Sequence, residues 1–297
     1  MRASILDHLP AECARGRLFV DVPRLLAGTG SQDELAQRLG EAFQGADPKR
    51  SRAALSVLKE GGLDPATSLH QIAACIDREN GFTAAVELDL SQLRGDFLAL
   101  LNAAAKQAGR PPAAIKTEGA LTYLAVPDRP VLVARMGPGV VVVASDLTRL
   151  RAARQGGGAP GFAAARKSLA FVDLSLPEQG RMNVALLPAG DELRVEGWMQ
   201  MIGTQADHLR RDPKGTLRQL RAMLAEAAGR LDHTPLQGFD AEVRSLELTA
   251  DGDRLQAKIQ LPRERAQQLV RQLLHVKPQT LSRVRPAPSS ARRAAPR

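Results

Sequence analysis

Residues 156–168 read GGGAPGFAAARKS, and the first chemistry they suggest is phosphate binding. A phosphate loop needs Gly, four residues, then Gly-Lys-Ser/Thr, so that backbone N–H groups wrap the anion and the lysine meets it. Gly156 and Gly161 have that spacing, but Phe162 and Ala163 follow, and Lys167-Ser168 come too late. The run reads as a linker. A second glycine pair, in MGPGVVVVAS at 136–145, precedes a strand, whereas a dinucleotide fold needs its glycines after one. It reads as a hairpin turn. The histidines, His8, His70, His208, His233 and His275, form no recognisable ligand set with a neighbouring His, Cys or carboxylate. Glu87 and Asp89 share a strand face and have the chemistry of an acid/base pair, but solvated strand faces carry such pairs too. Ser145 precedes a helix without the Gly-x-Ser-x-Gly elbow of a nucleophile, and helix capping by Ser145 or Asp146 accounts for both residues. No catalytic residue, metal ligand or cofactor is expected.

Three features remain. Cys13 and Cys75 are either two inert thiols or one bridge, the latter if their segments pair in one sheet. Trp198, in EGWMQMIG, shares a strand face with Gln200 and Ile202, opposite Met199 and Met201, and both faces are expected to be core. The C-terminal stretch from residue 276 has four prolines and six basic residues, Lys277, Arg283, Arg285, Arg292, Arg293 and Arg297, with no acid. Such a segment cannot bury enough surface to fold, and a flexible arginine cluster binds polyanions by counterion release. Six of the nine net positive charges therefore sit in the tail, and the folded body is close to balanced.

The elements that would position these residues follow from composition and periodicity. Hydrophobic content is 44%, ordinary for a globular chain, but there are only one Trp, one Tyr and seven Phe, so the core must be aliphatic. RLFVDV reads as a strand, SQDELAQRLGEAF and PKRSRAALSVLKEGG as helices, QIAACID and FTAAVELDL as strands. A helix capped by Ser91 follows, then the strands LTYLAV, PVLVARM and GVVVVAS, then a short helix. After GGGAPG the order recurs: SLAFVDLSL as a strand, a hairpin turning at PAGDE, a helix over about 204–231 broken near Asp212-Pro213, the hairpin VRSLELTADGDRLQAKIQL and a closing helix. FVDV at 19–22 and FVDL at 171–174 open the two halves. The expected fold is α+β: two related domains, at 1–155 and 162–276, each a mainly antiparallel sheet with helices on one face. A linker at 156–161 joins them and a disordered basic tail at 277–297 follows.

The succession LP…C…FVDVPRLL, GGLDPATSLHQIAACID, AAVELDLSQL and LTYLAV…VLVARMGPGVVVVAS…LTRLRAA resembles a group of exported or lipoprotein-type proteins of myxobacteria and their relatives. The likeness spans most of residues 9–155 and, more weakly, the second half. It implies tandem α+β domains, an extracytoplasmic location and no assigned chemistry. Glu12 departs from the small residue that lipid attachment at Cys13 would require. Asp7, Pro10 and Glu12 also break any export h-region in the first twenty residues, and no run of 18 apolar residues could cross a membrane. The expectation is thus a non-catalytic binding or structural protein of unknown protein or polymer partner, exported in its native setting, with cytoplasmic residence as the alternative. The competing reading is association with nucleic acid or anionic membrane through the arginine-rich tail.

Overall fold

The computed structural model describes residues 4–10, 13–29, 48–79, 81–127, 129–156, 162, 165–176, 180–229 and 237–275. The segment around SQDELAQRLGEAF, most of the linker and the tail lie outside them.

Twelve strands form one antiparallel sheet. In chain order they are β1 (Gly16–Asp21), β2 (Leu69–Ile76), β3 (Phe82–Leu88), β4 (Ala114–Glu118), β5 (Leu121–Ala125), β6 (Leu132–Arg135), β7 (Val140–Ala144), β8 (Ala170–Leu176), β9 (Gly180–Ala189), β10 (Glu192–Gln200), β11 (Glu247–Asp251) and β12 (Arg254–Pro262). Their spatial order is β11-β12-β10-β9-β8-β1-β2-β3-β7-β6-β5-β4. The expectation of a separate sheet in each half is corrected by the centre of this order. β1 pairs with β8 across the linker, with Phe19 opposite Phe171 and Arg17 opposite Asp173. The recurrent Phe-Val-Asp strands are hydrogen-bonded to each other.

The seam imposes a correspondence on the halves. On each side three strands meander outward, β1-β2-β3 and β8-β9-β10. The chain then makes a helical excursion and returns so that its last strand, β7 or β12, pairs with the third of the meander. The helices are α1 (Val22–Thr29), α2 (Pro48–Glu60), α3 (Pro65–Ser68), α4 (Phe97–Gln107), α5 (Leu147–Gln155), α6 (Gly203–Arg211), α7 (Pro213–Ala228), α8 (Asp240–Arg244) and α9 (Arg263–His275). Side chains of Asp96, Asp146 and Asp212 accept the backbone N–H groups of Ala99, Arg149 and Gly215, so α4, α5 and α7 begin where these aspartates stand. Asp96 displaces Ser91 as the cap, because Gly95 with φ +87° bends the chain after Ser91. The elements that escape the sequence reading include α1, whose Pro23 sits in a first turn that needs no proline N–H, the short α8, and the edge strand β4, whose side chains are exposed throughout.

Helices lie on both faces rather than one. The face carrying Phe19 and Phe171 is covered over the N-terminal half by the 3-10 turn Ile5–His8 and α5; Ile5, Leu9, Leu150 and Phe162 are at most 1% exposed there. On the opposite face α2 and α4 bury Leu58, Phe97 and Leu98 against Leu124 and Val141. α9 also packs on that opposite face, where Ala266 and Leu269 meet Leu193, Val195, Ile259 and Leu261. α5 and α9 each close their half, but on different sides of the sheet.

Candidate functional site

Because α9 takes the far side, the Phe19 face of the C-terminal half has no helix over it among the described residues. The result is a trough of about 700 Å³ running across β9, β10, β12 and β11. Registration shows what each half puts on this face. From the seam outward the central N-terminal row is Phe19, Ala73, Ala85, Val142 and Ala134, all 3% exposed or less. The corresponding C-terminal row is Phe171, Ala185, Glu196, Lys258 and Glu247. One row is small, apolar and covered; the other turns charged after its second member and stays open.

The adjacent row is Arg17, Asp173, Asn183, Trp198, Gln256 and Thr249. Asp173, 5% exposed, accepts hydrogen bonds at 2.8 and 2.5 Å from Arg181 and lies 3.4 Å from Arg17. The carboxylate holds the Arg181 guanidinium above its usual range, against the opposing effect of burial. This cluster lies at the seam, in the same row as the trough but outside its lining. Trp198 stands half-buried on the floor with the Arg254 guanidinium 4.5 Å from its ring centroid. The Glu196 carboxylate is paired with Arg194 at 2.7 Å. Trp198 Nε1 and the side chains of Asn183, Gln256, Lys167 and Lys258 have no hydrogen-bond or ion-pair partner among the described residues. An apolar floor with unpartnered donors around it is the composition of a ligand site rather than of a core.

Trp198 is thus corrected from core to trough. Alternation in RLQAKIQL carried the signal: Arg254, Gln256, Lys258 and Gln260 share a face that no core would choose. Lys167 and Asn183 had no such signal, since their neighbours come from other strands.

The other candidates separate. Cys13 and Cys75 are joined in a disulfide, with Cα atoms 5.2 Å apart. Glu87, Asp89, His8 and His70 line a second cavity of about 920 Å³ at the end of β3, beside the β6–β7 turn. Within it His8 Nδ1 is 3.0 Å from the Ala153 carbonyl, and the Arg135 guanidinium donates to the carbonyls of Gly137 and Pro138. By register Glu87 occupies the place in its half that Trp198 has in the other. Among the described residues no group of three or more His, Cys, Asp or Glu could hold a metal ion. The Ser145 hydroxyl accepts the Phe82 N–H, so it is bound into the strand end. Asp146 and Arg149 form an ion pair that Asp77 and Glu79 join, and these acids raise the Arg149 guanidinium above its usual range. Lys277, Arg283, Arg285, Arg292, Arg293 and Arg297 lie outside the described residues. No described helix is long and apolar enough to cross a membrane.

No protein-family model matches the chain, and no curated protein matches it. Among solved structures it is similar to TP0453 in crystal form III, at 10% identity and a TM-score of 0.51, over 91% of this chain and 98% of that one. Crystal form I of the same protein aligns with a TM-score of 0.47 at 12% identity, over 91% and 98%. The form III likeness concerns the fold, and it runs through both halves.

Proposed function

We propose that this chain is a non-catalytic, extracytoplasmic binding protein that holds its ligand in the Trp198 trough, on a scaffold made by duplication of one α+β unit. The trough supports this reading most directly. At matched positions the N-terminal half carries Ala85, Val142 and Ala134 under a helix, and the C-terminal half carries the charged Glu196, Lys258 and Glu247 under none. The duplication is supported by the shared strand order and by the Phe19–Phe171 register. The Cys13–Cys75 bridge favours export, since such bonds persist in oxidising compartments. Equilibrium dialysis of the chain against a protein-free extract of the cell envelope tests the reading. A retained solute should be recovered with its mass unchanged. Retention of nothing, or release of a chemically altered product, sinks it.

A second reading concerns the tail, where six basic residues occur without an acid. It gives polyanion contact with a steep salt dependence. Truncation before Lys277 should abolish retention on heparin and on anionic vesicles at low salt; unchanged retention ends that reading.

A further inference from the structure

We infer that the trough takes an acidic oligosaccharide, recognised by Trp198 at the ring face that Arg254 does not cover and by Lys167 and Lys258 at a carboxylate. This rests on the trough being the binding site and adds the class of ligand. Three observations select that class. The floor is one aromatic ring flanked across the strands by two amides, Asn183 and Gln256, the groups that meet a sugar's hydroxyls while the ring meets its C–H face. The apolar floor is short, Ala185 and Leu187 with Trp198, which is too little for a long aliphatic tail. The charges favour an anion. Lys167 and Lys258 line the trough and the Arg254 guanidinium lies over Trp198, three cations against the Glu247 carboxylate opposite Lys258, while Glu196 is already paired with Arg194. The trough crosses four adjacent strands, about 14 Å at the usual inter-strand spacing, so the ligand lies across the strands as an oligomer rather than a single ring.

Trp198 is the only tryptophan of the chain, so its emission reports the site alone. The experiment titrates the full chain with a panel of uronate-, sialate- and N-acetylmuramate-bearing oligosaccharides, with neutral oligosaccharides of equal length, and with laurate. The expected result is a saturable change in Trp198 emission with one or more acidic members and none with their neutral counterparts. Losing a charge-assisted contact in Lys258→Ala should weaken binding about tenfold or more. Asn183→Ala should weaken it while leaving the circular dichroism of the fold unchanged, which keeps the test valid if Lys258→Ala misfolds. The inference is overturned if no acidic glycan binds, if neutral glycans bind equally, if laurate competes, or if both variants bind like the parent. Should dialysis retain an envelope solute that contains no sugar, the ligand class is wrong and the binding reading stands; should it retain nothing, the binding reading itself falls.

Discussion

At the scale of residues, the buried Asp173 and the half-buried Glu242 each hold an arginine from another element. Asp173 lies on the seam between the halves and is bound by one arginine from each side of it, Arg17 from β1 and Arg181 from β9. Removing it leaves two guanidinium groups facing each other without their counter-charge. Asp173→Ala is expected to cost about 2–3 kcal/mol, below the value for a fully buried pair because Arg181 is 44% exposed. Urea unfolding at neutral pH measures this, and Arg181→Ala alone should cost less because Arg17 keeps the carboxylate company. A second carboxylate sets acid sensitivity. Glu242 on α8 is held below its ordinary range by its hydrogen bond from Arg265 of α9, which outweighs the opposing effect of burial. Its contribution is therefore complete above the unfolded value of about 4.3 and lost as pH falls through the lower folded value. Glu242→Gln should lower stability at pH 7 by about 1–2 kcal/mol, and its curve should meet the parent's in acid. A constant difference from pH 7 down to pH 2 would refute the linkage.

Among elements, the segment from Ser4 to Leu9 has an unusual burden for its length. It is a capped 3-10 turn in which Ser4 and Asp7 bond each other's backbone N–H groups, and it buries Ile5, Leu6 and Leu9 almost completely. So short a helix cannot hold itself together by its own hydrogen bonds. The Cys13–Cys75 bridge ties it to β2 and closes a separation of 62 residues, a constraint worth about 4 kcal/mol in chain-entropy terms. The double variant Cys13→Ala/Cys75→Ala should lose most of that in denaturant unfolding, and amide exchange should show Ile5–Leu9 losing protection first. Loss of less than about 1 kcal/mol would mean that packing alone holds the segment. These elements also show where sequence was informative. The hairpin β9–β10 and the helix break at Asp212-Pro213 were legible because turn and cap chemistry is local. β4 was not, because an edge strand exposed on both sides has no alternation to read. The trough was half legible. Alternation assigns Trp198 and Gln256 to one face, but whether that face is covered depends on which side α9 chooses, and α9 has the same amphipathic pattern either way.

For the molecule as a whole, the consequence of the β1–β8 ladder is cooperativity. The Phe-Val-Asp echo was visible in the sequence, yet nothing local says that two similar strands will pair with each other rather than head separate sheets. Once they do, the core cannot be divided at the linker. Phe19, Ala73, Phe162, Phe171 and partly buried Ala185 belong to one apolar cluster that spans both halves. Alignment with TP0453 over 98% of that chain likewise includes both halves in one architecture. Thermal unfolding should therefore show a single calorimetric transition, with calorimetric and van't Hoff enthalpies in agreement. Two modules on a glycine hinge would give two transitions. The halves expressed separately, residues 1–156 and 162–275, should each present an unpaired strand edge, β1 or β8, and should aggregate alone but form a one-to-one complex when mixed. Introducing proline at Phe171 should abolish that complex, because it removes a side chain 2% exposed and an N–H from the middle of a central ladder. Two stable, monomeric, non-associating halves would show that the seam is an incidental contact and that the symmetry of the fold has no energetic centre.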